Sequence, residues 1–293
     1  MKTAVITGGT SGIGKQTALA LASEGWRLFI CGRSAKKGEK AAEELRAAGA
    51  EVEFTALDMT DDEAVRSWAA DIQNKVDYLD ALVLNAGLVR YDLKYDKHDY
   101  EYMFATTHLG HFLLTHLLLS KVIAAVGRVV VTSSVAHWAA STTNPMAFKK
   151  GELNPSEFAA GFKAYGRSKL ANILFVRGLN ERLRHTGVYA NAFHPGGVKT
   201  SIWRGMDKFA MALLNPFLIS EKKGAQTQIW LASSSDIIEG GNYYTRKKMA
   251  RTSAHASDLK KMQELWALSE KRFGIVEFGK PETDQSTEVR KQA

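Results

Sequence analysis

The stretch that decides the fold opens the chain and reads Thr3-Ala4-Val5-Ile6-Thr7-Gly8-Gly9-Thr10-Ser11-Gly12-Ile13-Gly14. Its first five residues form an apolar run typical of a β-strand, and the residues after Gly14 carry apolar side chains at helical spacing. A strand, a glycine turn and a helix in this order are the context that a dinucleotide-binding turn requires. The glycines let backbone N–H groups approach a pyrophosphate, and the helix dipole favours its negative charge. A structural strand-to-helix turn without a ligand is the alternative.

The rest of the chain repeats this alternation of apolar strands and helical patterns. We predict strands at residues 4–7, 27–31, 52–57, 81–85, 128–133, 189–193 and near 242–244, and helices at 13–23, 36–48, 61–75, 100–125, 164–185 and 221–233. Strands that alternate with helices form right-handed crossovers, which place parallel strands in one sheet with helices on both faces. The pattern therefore predicts an α/β fold with a doubly wound parallel sheet.

The composition agrees with such a fold and argues against several kinds of site. Of the 293 residues, 45% are hydrophobic, which is enough for a sizeable core. A single cysteine, Cys31, excludes an internal disulfide, and its apolar strand predicts a buried, inert thiol. The formal charge is +8, but no basic cluster is interleaved with aromatic residues, so we expect no nucleic-acid partner. His108, His111 and His116 share a predicted helix without acidic or cysteine partners, so we expect packing histidines and no metal site.

Two residues four apart, Tyr165 and Lys169, are candidates for acid–base chemistry. On a helix this spacing brings both side chains to one face. A tyrosine has a pKa of about 10 in water. A cation a few ångströms away is expected to lower that pKa toward neutrality. Tyrosine and lysine also meet at this spacing by chance, so the pair alone does not establish an active site.

Several further motifs, together with the glycine turn, resemble the short-chain dehydrogenase/reductase family over roughly residues 1–275. In the family's order they are Thr7-Gly8-Gly9-Thr10-Ser11-Gly12-Ile13-Gly14, Asn85-Ala86-Gly87, Val131-Thr132-Ser133-Ser134, Tyr165 with Lys169, and Pro195-Gly196. Those most similar to the retinol-dehydrogenase-like branch are His108-Leu109-Gly110-His111, Ser168-Lys169-Leu170-Ala171-Asn172, His194-Pro195-Gly196 and Leu265-Trp266-Ala267-Leu268-Ser269. The resemblance implies a Rossmann-type sheet of about seven strands in a single domain over residues 1–275. The polar residues 281–293 are expected to form a disordered tail.

The resemblance also implies which residues bind a nicotinamide dinucleotide. They are Gly8, Thr10, Ser11, Gly12, Ile13, Gly14, Arg33, Asp58, Met59, Asn85, Ala86, Gly87, Tyr165, Lys169, Pro195, Gly196, Val198 and Thr200. The second strand ends in Cys31-Gly32-Arg33-Ser34, with no carboxylate for the ribose 2′-hydroxyl of NAD. Because Arg33 could bind a 2′-phosphate, NADP(H) is the expected cofactor. The structural alternatives are a surface role for Arg33, a helix cap for Asp58 and strand stabilisation for Asn85.

Ser134, Tyr165 and Lys169 are the catalytic residues that the resemblance implies. Ser134, rather than its neighbour Ser133, would bond the substrate oxygen, and Tyr165 would exchange a proton with it. Lys169 would bind the nicotinamide ribose and lower the pKa of Tyr165. The family usually has an asparagine, whose backbone helps to hold a relay water, where this chain has Thr107. Either the Thr107 carbonyl keeps the relay, or turnover is weakened.

Apolar residues around the expected site favour a hydrophobic substrate. The loop 135–162 contains Trp138, Phe148 and Phe162, and the segment 202–219 is rich in bulky apolar side chains. In the family this segment forms a substrate lid. A core or dimer helix, or shallow contact with a membrane surface, is the alternative. The predicted substrate-binding residues are Ser134, Tyr165, Trp138, Trp203 and Met206.

The predicted activity is an NADPH-dependent oxidoreductase that reduces a hydrophobic aldehyde or ketone to an alcohol, or the reverse. A reductase of an activated C=C bond is the enzymatic alternative. A non-catalytic NADP(H)-binding regulator or scaffold is the alternative from another class, with Thr107 as its one hint. We expect a cytoplasmic protein, since residues 112–126 are too short a span for a membrane and the first strand begins too early for a secretory signal. A homo-oligomer is compatible with the sequence.

Overall fold

The computed structural model describes residues 1–142, 144–157, 159–199 and 218–280. Three residues predicted to line the site, Thr200, Trp203 and Met206, lie outside these ranges, as does the predicted tail 281–293.

One central sheet holds every strand of the described residues. The strands are β1 (Thr3–Thr7), β2 (Arg27–Gly32), β3 (Val52–Ala56), β4 (Ala81–Leu84), β5 (Arg128–Thr132), β6 (Tyr189–His194), β7 (Tyr243–Thr245) and β8 (Lys248–Met249). Their order is β3-β2-β1-β4-β5-β6-β7-β8, with β1 to β7 parallel and β8 antiparallel to β7. The doubly wound parallel sheet is confirmed, with one strand more than predicted. The extra strand, β8, follows a hairpin turn through Arg246 and Lys247, whose φ angles are 52° and 60°. The turn has no glycine or asparagine, the residues by which such turns are recognised in a sequence.

Helices cover both faces of this sheet. They are α1 (Gly12–Ser23), α2 (Ala35–Ala47), α3 (Asp62–Lys75), α4 (Tyr102–Phe104), α5 (Gly110–Ala124), α6 (Ala160–Arg182), α7 (Glu221–Ser233) and α8 (Leu259–Phe273). A π-helical turn, Ala105–Leu109, joins α4 to α5. Among the described residues, no helix combines the length and the hydropathy needed to cross a bilayer.

Three helices differ from the predictions. The helix predicted at 100–125 begins at Tyr102 and is interrupted by the π turn. Helix α6 spans residues 160–182 rather than 164–185. Helix α8 was not predicted, although it has ordinary end signals. Asp258 accepts a hydrogen bond from the Lys261 N–H at its start, and Gly274 ends it in the left-handed conformation at φ 66°.

The core consists of two layers, one on each face of the sheet. Along β1, Val5 faces one layer, and Ala4 and Ile6 face the other, as the period of two along a strand requires. The layer around Val5 also holds Phe148, which stacks on Phe104 at a centroid distance of 3.8 Å. Phe148 is therefore a core residue, although its loop was expected to shape the substrate pocket.

The strand order places a ligand site at one edge of the sheet. The chain leaves β1 toward β2 on one side, and β4 lies on the other side of β1. Where the strand order reverses in this way, a crevice forms outside the carboxyl ends of the strands. The glycine turn follows β1 at this edge, Asn85 follows β4, and Ser134 comes shortly after β5.

Candidate active site

A cavity of about 1020 Å³ opens at the carboxyl ends of the central strands. This volume lies at the upper end of the range for ligand sites, which leaves room for a large cofactor together with a substrate. Predicted site residues on its wall are Gly8, Ser11, Gly12, Ile13, Arg33, Asn85, Ala86, Gly87, Ser134, Trp138, Tyr165, Lys169, Pro195, Gly196 and Val198. The predicted residues Thr10, Gly14, Asp58, Met59 and Thr107 are not on the wall.

The glycine turn forms a cradle that larger residues would fill. Gly8 has φ +66°, and a methyl group added to it would lie 3.0 Å from the Ala86 Cα. A methyl group at Gly14 would lie 2.3 Å from the Asn85 Nδ2. Ser11 precedes α1 without capping it through its side chain, so the first N–H groups of the helix face the cavity edge uncapped. A helix N-terminus behind a glycine turn suits a pyrophosphate, so the residues present fit a dinucleotide.

Hydrogen bonds connect this turn to Asn85, which follows the neighbouring strand β4. The Asn85 Nδ2 donates to the Thr7 carbonyl at 3.0 Å and to the Gly8 carbonyl at 3.3 Å. Its Oδ1 accepts from the Nε2 of Gln228 in α7 at 3.3 Å, and the Gln228 Oε1 accepts from the Thr17 hydroxyl at 2.6 Å. Asn85 thus stabilises the strand ends and also lies on the cavity wall. Gln228 escaped sequence reasoning, because a lone glutamine 143 residues away carries no motif.

Arg33 lies on the cavity wall, directly after β2. Its charge acts on Tyr102, whose pKa is raised by burial and by the Asp58 carboxylate and lowered by Arg33. The Tyr102 hydroxyl donates to the Asp58 Oδ2 at 2.9 Å. The three residues therefore share one neighbourhood. The alternative role of Asp58 as a helix cap is wrong, since Asp61 caps α3 by accepting from the Ala64 N–H.

Ser134 and Tyr165 converge from different elements. Ser134 follows β5, and its Oγ accepts a hydrogen bond from the Ala136 N–H at 3.1 Å. Tyr165 lies in the first turns of α6, and its hydroxyl is hydrogen-bonded to the Ser134 side chain. Both are more than nine-tenths buried but lie on the cavity wall. The neighbouring Ser133 does not fit the role of bonding the substrate oxygen, because its hydroxyl donates to the Lys169 carbonyl at 2.7 Å.

Lys169 lies one turn after Tyr165, as its spacing predicts. Its Nζ lies 5.5 Å from the ring centroid of Tyr165 and donates to the Thr132 carbonyl at 3.1 Å. The predicted lowering of the Tyr165 pKa is wrong for this structure. Burial raises that pKa to about 12, against a smaller opposite effect of the Ser134 hydrogen bond. Burial also lowers the pKa of Lys169 to about 7, so the ammonium that should stabilise a phenolate is itself only partly charged near neutrality.

Thr107 lies behind the cavity floor, within the π turn. Its hydroxyl donates to the Met103 carbonyl at 2.8 Å, and its own carbonyl accepts from the His111 Nδ1 at 2.9 Å. A methyl group added at Gly87 would lie 3.2 Å from the Thr107 Cγ2 and 3.6 Å from the Lys169 Nζ. Thr107 is therefore a neighbour of Gly87 and of Lys169, although it does not line the cavity.

Two histidines near the site were not assigned from the sequence. The His137 ring donates from Nδ1 to the Ser134 carbonyl at 2.7 Å, while its Nε2 accepts from the Ser253 N–H at 3.2 Å. This bond ties the Ser134 backbone to the segment before α8. His194 lies on the cavity wall, and its pKa is lowered to about 4 by burial and then by His137 and Arg246. Its ring is therefore neutral at physiological pH.

The outer part of the cavity is apolar and open to solvent. Trp138 and Phe162 are 49% and 41% exposed there, and Val135 is similarly half exposed. Leu88 and Val89, directly after Gly87, extend the apolar wall. These side chains can bind a hydrophobic molecule whose polar end reaches Ser134 and Tyr165. The sequence predicted a pocket role for the aromatic residues of the loop 135–162, but not for Leu88 and Val89.

Two further buried histidines have hydrogen-bond partners. His108 bonds the Ser269 Oγ at 2.9 Å, and His116 accepts from the Gly279 N–H at 2.9 Å. Within the described ranges, no group of three or more His, Cys, Asp or Glu side chains could hold a metal. Cys31 is a free, buried thiol whose pKa is raised to about 12 by burial, which agrees with the prediction of an inert thiol.

Comparison with known proteins gives the same motifs a family. A family model described as short chain dehydrogenase matches residues 2–146. Retinol dehydrogenase 12 of Mus musculus is 37% identical over 280 residues, which are 94% of this chain and 87% of that protein. Dehydrogenase/reductase SDR family member 13 of Homo sapiens is 35% identical, covering 98% of this chain and 78% of that protein. The solved structure of an uncharacterized protein from Mycobacterium paratuberculosis has a TM-score of 0.72 and 32% identity, with 92% of each chain covered.

These relatives match nearly the whole chain, and the motif residues meet in one cavity of the expected fold. The chain therefore belongs to the short-chain dehydrogenase family of nicotinamide-dependent oxidoreductases, in its retinol-dehydrogenase-like branch.

Proposed function

We propose that this protein is an NADP(H)-dependent reductase of hydrophobic aldehydes or ketones. The observation that carries the proposal is the convergence of Ser134, Tyr165 and Lys169 on the wall of the cavity that begins at the glycine turn. A reduced nicotinamide held in this cavity would supply a hydride to the carbonyl carbon. Ser134 donates a hydrogen bond to the substrate oxygen as negative charge develops, and Tyr165 donates the proton.

Tyr165 holds the proton that this reaction needs. Because burial raises its pKa to about 12, the phenol is protonated at neutral pH and can donate to the substrate oxygen. Lys169 would bind the ribose hydroxyls, since it lies on the cavity wall, where its Nζ donates to the Thr132 carbonyl at 3.1 Å.

Arg33 supports the choice of NADP(H) over NAD(H). It lies on the cavity wall at the end of β2, where an NAD-binding protein of this fold carries an acid. Its guanidinium can form a charge-assisted pair with a 2′-phosphate. The pocket residues Trp138, Phe162 and Val135 support a hydrophobic substrate. A reducing compartment is part of the proposal, supported by the single free cysteine, Cys31.

We assign a proton-relay role to the Thr107 carbonyl rather than to its side chain. The hydroxyl of Thr107 is already engaged with Met103, so it offers no donor to the cavity. The carbonyl has a second lone pair beside the one that accepts from His111, and this can hold a water.

The experiment that tests this function is a screen of the purified protein for NADPH consumption with aldehydes, ketones, quinones and enones. We expect turnover with apolar aldehydes or ketones and much less with NADH. Turnover restricted to enones would favour the C=C reductase. Tight NADPH binding with no turnover on any class would favour the regulator.

A further inference from the structure

His111 joins the two sides of the site through its ring. It is 1% exposed and lies in the first turn of α5. Its Nε2 is 2.8 Å from the Thr7 hydroxyl, and its Nδ1 is 2.9 Å from the Thr107 carbonyl. The carbonyl can only accept, so Nδ1 carries the proton and donates it.

The hydrogen bonds of Thr7 determine the same tautomer independently. The Thr7 Oγ1 accepts from the Asn85 N–H at 2.8 Å and from the Ala86 N–H at 2.9 Å. Its two lone pairs are then used, so its proton must be donated, and the His111 Nε2 at 2.8 Å is a nearer acceptor than the Val83 carbonyl at 3.4 Å. A neutral His111 ring with the proton on Nδ1 gives each donor in this series of hydrogen bonds an acceptor. In an imidazolium, Nε2 would also carry a proton, and this N–H would face the Thr7 hydroxyl proton, so that two donors would meet with no acceptor between them.

These hydrogen bonds connect the residues 85–87, which form the cofactor floor, to the π turn. Asn85 and Ala86 begin the floor, and Thr107 lies directly behind Gly87. The Thr107 hydroxyl donates to the Met103 carbonyl, so it makes no hydrogen bond to the floor. The hydrogen bonds through the His111 ring are therefore what relates the Thr107 carbonyl to the strand ends at Thr7.

We propose that His111 is a positioning residue that holds the Thr107 carbonyl in register with the cofactor floor. The link itself follows from the hydrogen bonds, whereas its effect on catalysis rests on the proposed function. It accounts for the tolerance of threonine at position 107, because the carbonyl is held by the ring of His111 and not by the side chain of its own residue.

Two substitutions separate the two bonds of the ring. In His111→Asn the amide nitrogen occupies the place of Nδ1, so the donor to Thr107 is kept and the acceptor for Thr7 is lost. In His111→Gln the terminal oxygen reaches the place of Nε2, so the acceptor is kept and the donor is lost. We expect single-turnover reduction to fall about tenfold in His111→Gln and less in His111→Asn. For the NADPH dissociation constant, we expect the larger rise in His111→Asn.

His108→Asn is the matched control. His108 lies one turn before His111, is equally buried, and bonds Ser269 of α8 instead of the site. This variant is expected to lose stability without reproducing either effect. Similar losses in all three variants, or the opposite order in either measurement, would overturn the proposal in favour of a packing role.

The tautomer of the native protein gives a test that needs neither folding of the variants nor activity. Two-bond 1H–15N correlation of labelled histidine should show a neutral His111 ring with the proton on Nδ1 from pH 8 to pH 5, since burial lowers the pKa of this ring to about 3. A ring protonated on Nε2, or an imidazolium at pH 5, would refute the link. A protein with this tautomer and the expected NADPH affinities but no reductase activity would refute the proposed function alone.

Discussion

Glu101 gives the sharpest prediction about stability, because its carboxylate is buried at the start of the segment that carries Thr107. It is 1% exposed, and its Oε2 accepts from the Phe104 N–H at 2.9 Å, while its Oε1 has no hydrogen-bond partner. Burial raises the pKa of Glu101 from 4.5 to about 7, against smaller opposite effects of backbone N–H groups, Arg167 and Arg90. The folded protein therefore retains a proton that the unfolded chain loses between these two pKa values.

The sign and size of the effect follow by linkage. Because the folded state binds more protons above pH 4.5, the contribution of Glu101 to stability falls as the pH rises and is fully lost above the folded pKa of about 7. Each unit of pKa difference corresponds to about 1.4 kcal/mol, so between pH 5 and pH 8 this residue should cost about 2 to 3 kcal/mol. Glu101→Gln keeps an acceptor for the Phe104 N–H and cannot ionise.

Urea denaturation at pH 5 and pH 8 measures the free energy of unfolding for both proteins. The drop in the free energy of unfolding from pH 5 to pH 8 should be smaller in Glu101→Gln by about 2 to 3 kcal/mol. Glu63→Gln removes an exposed carboxylate at the start of α3 and controls for the change in net charge. An identical pH dependence in native protein and Glu101→Gln would show that Glu101 is not protonated in the folded state.

Two further predictions concern the cofactor and the relay. Arg33→Ala should weaken NADPH binding by about 10- to 150-fold through loss of a charge-assisted bond of about 1.5–3 kcal/mol. Fluorescence titration should show little change for NADH or in the exposed-lysine control Lys40→Ala, and equal losses for both cofactors would make Arg33 a structural residue. Thr107→Asn should alter single-turnover reduction by less than about threefold, under 1 kcal/mol of activation free energy, because the carbonyl is unchanged. A rise well beyond that, with the NADPH affinity unchanged, would mean that the missing amide limits the native protein.

Features written in local sequence were predictable. A dinucleotide-binding turn is recognised by the strand before it and the helix after it, and both can be predicted from residues 3–23 alone. Tyr165 and Lys169 share a helix, so their spacing alone predicts that they meet. The alternation of elements likewise predicts the parallel sheet, whereas β8 is two residues long and leaves no periodic pattern.

Features that depend on packing between distant segments were not predictable. Thr7 and His111 meet across 104 residues, and no motif joins a threonine to a histidine at that separation. The pKa of Tyr165 depends on how far the fold buries it, which outweighs the nearby cation that spacing reveals. Asp58 and Asp61 both precede α3, and only the structure distinguishes the cap from the carboxylate that binds Tyr102.

The measurement that tests the central claim most directly is single-turnover reduction by Tyr165→Phe. With saturating NADPH and one good aldehyde or ketone, the rate should fall at least ~10²-fold, since the phenylalanine ring keeps the packing and removes the proton donor. The NADPH dissociation constant should stay near the native value, and Tyr78→Phe, which removes a phenol that is 61% exposed at the surface, should reduce the substrate at the native rate. Full activity in Tyr165→Phe would contradict the assignment of Tyr165 as the acid and, with it, the mechanism proposed for this site.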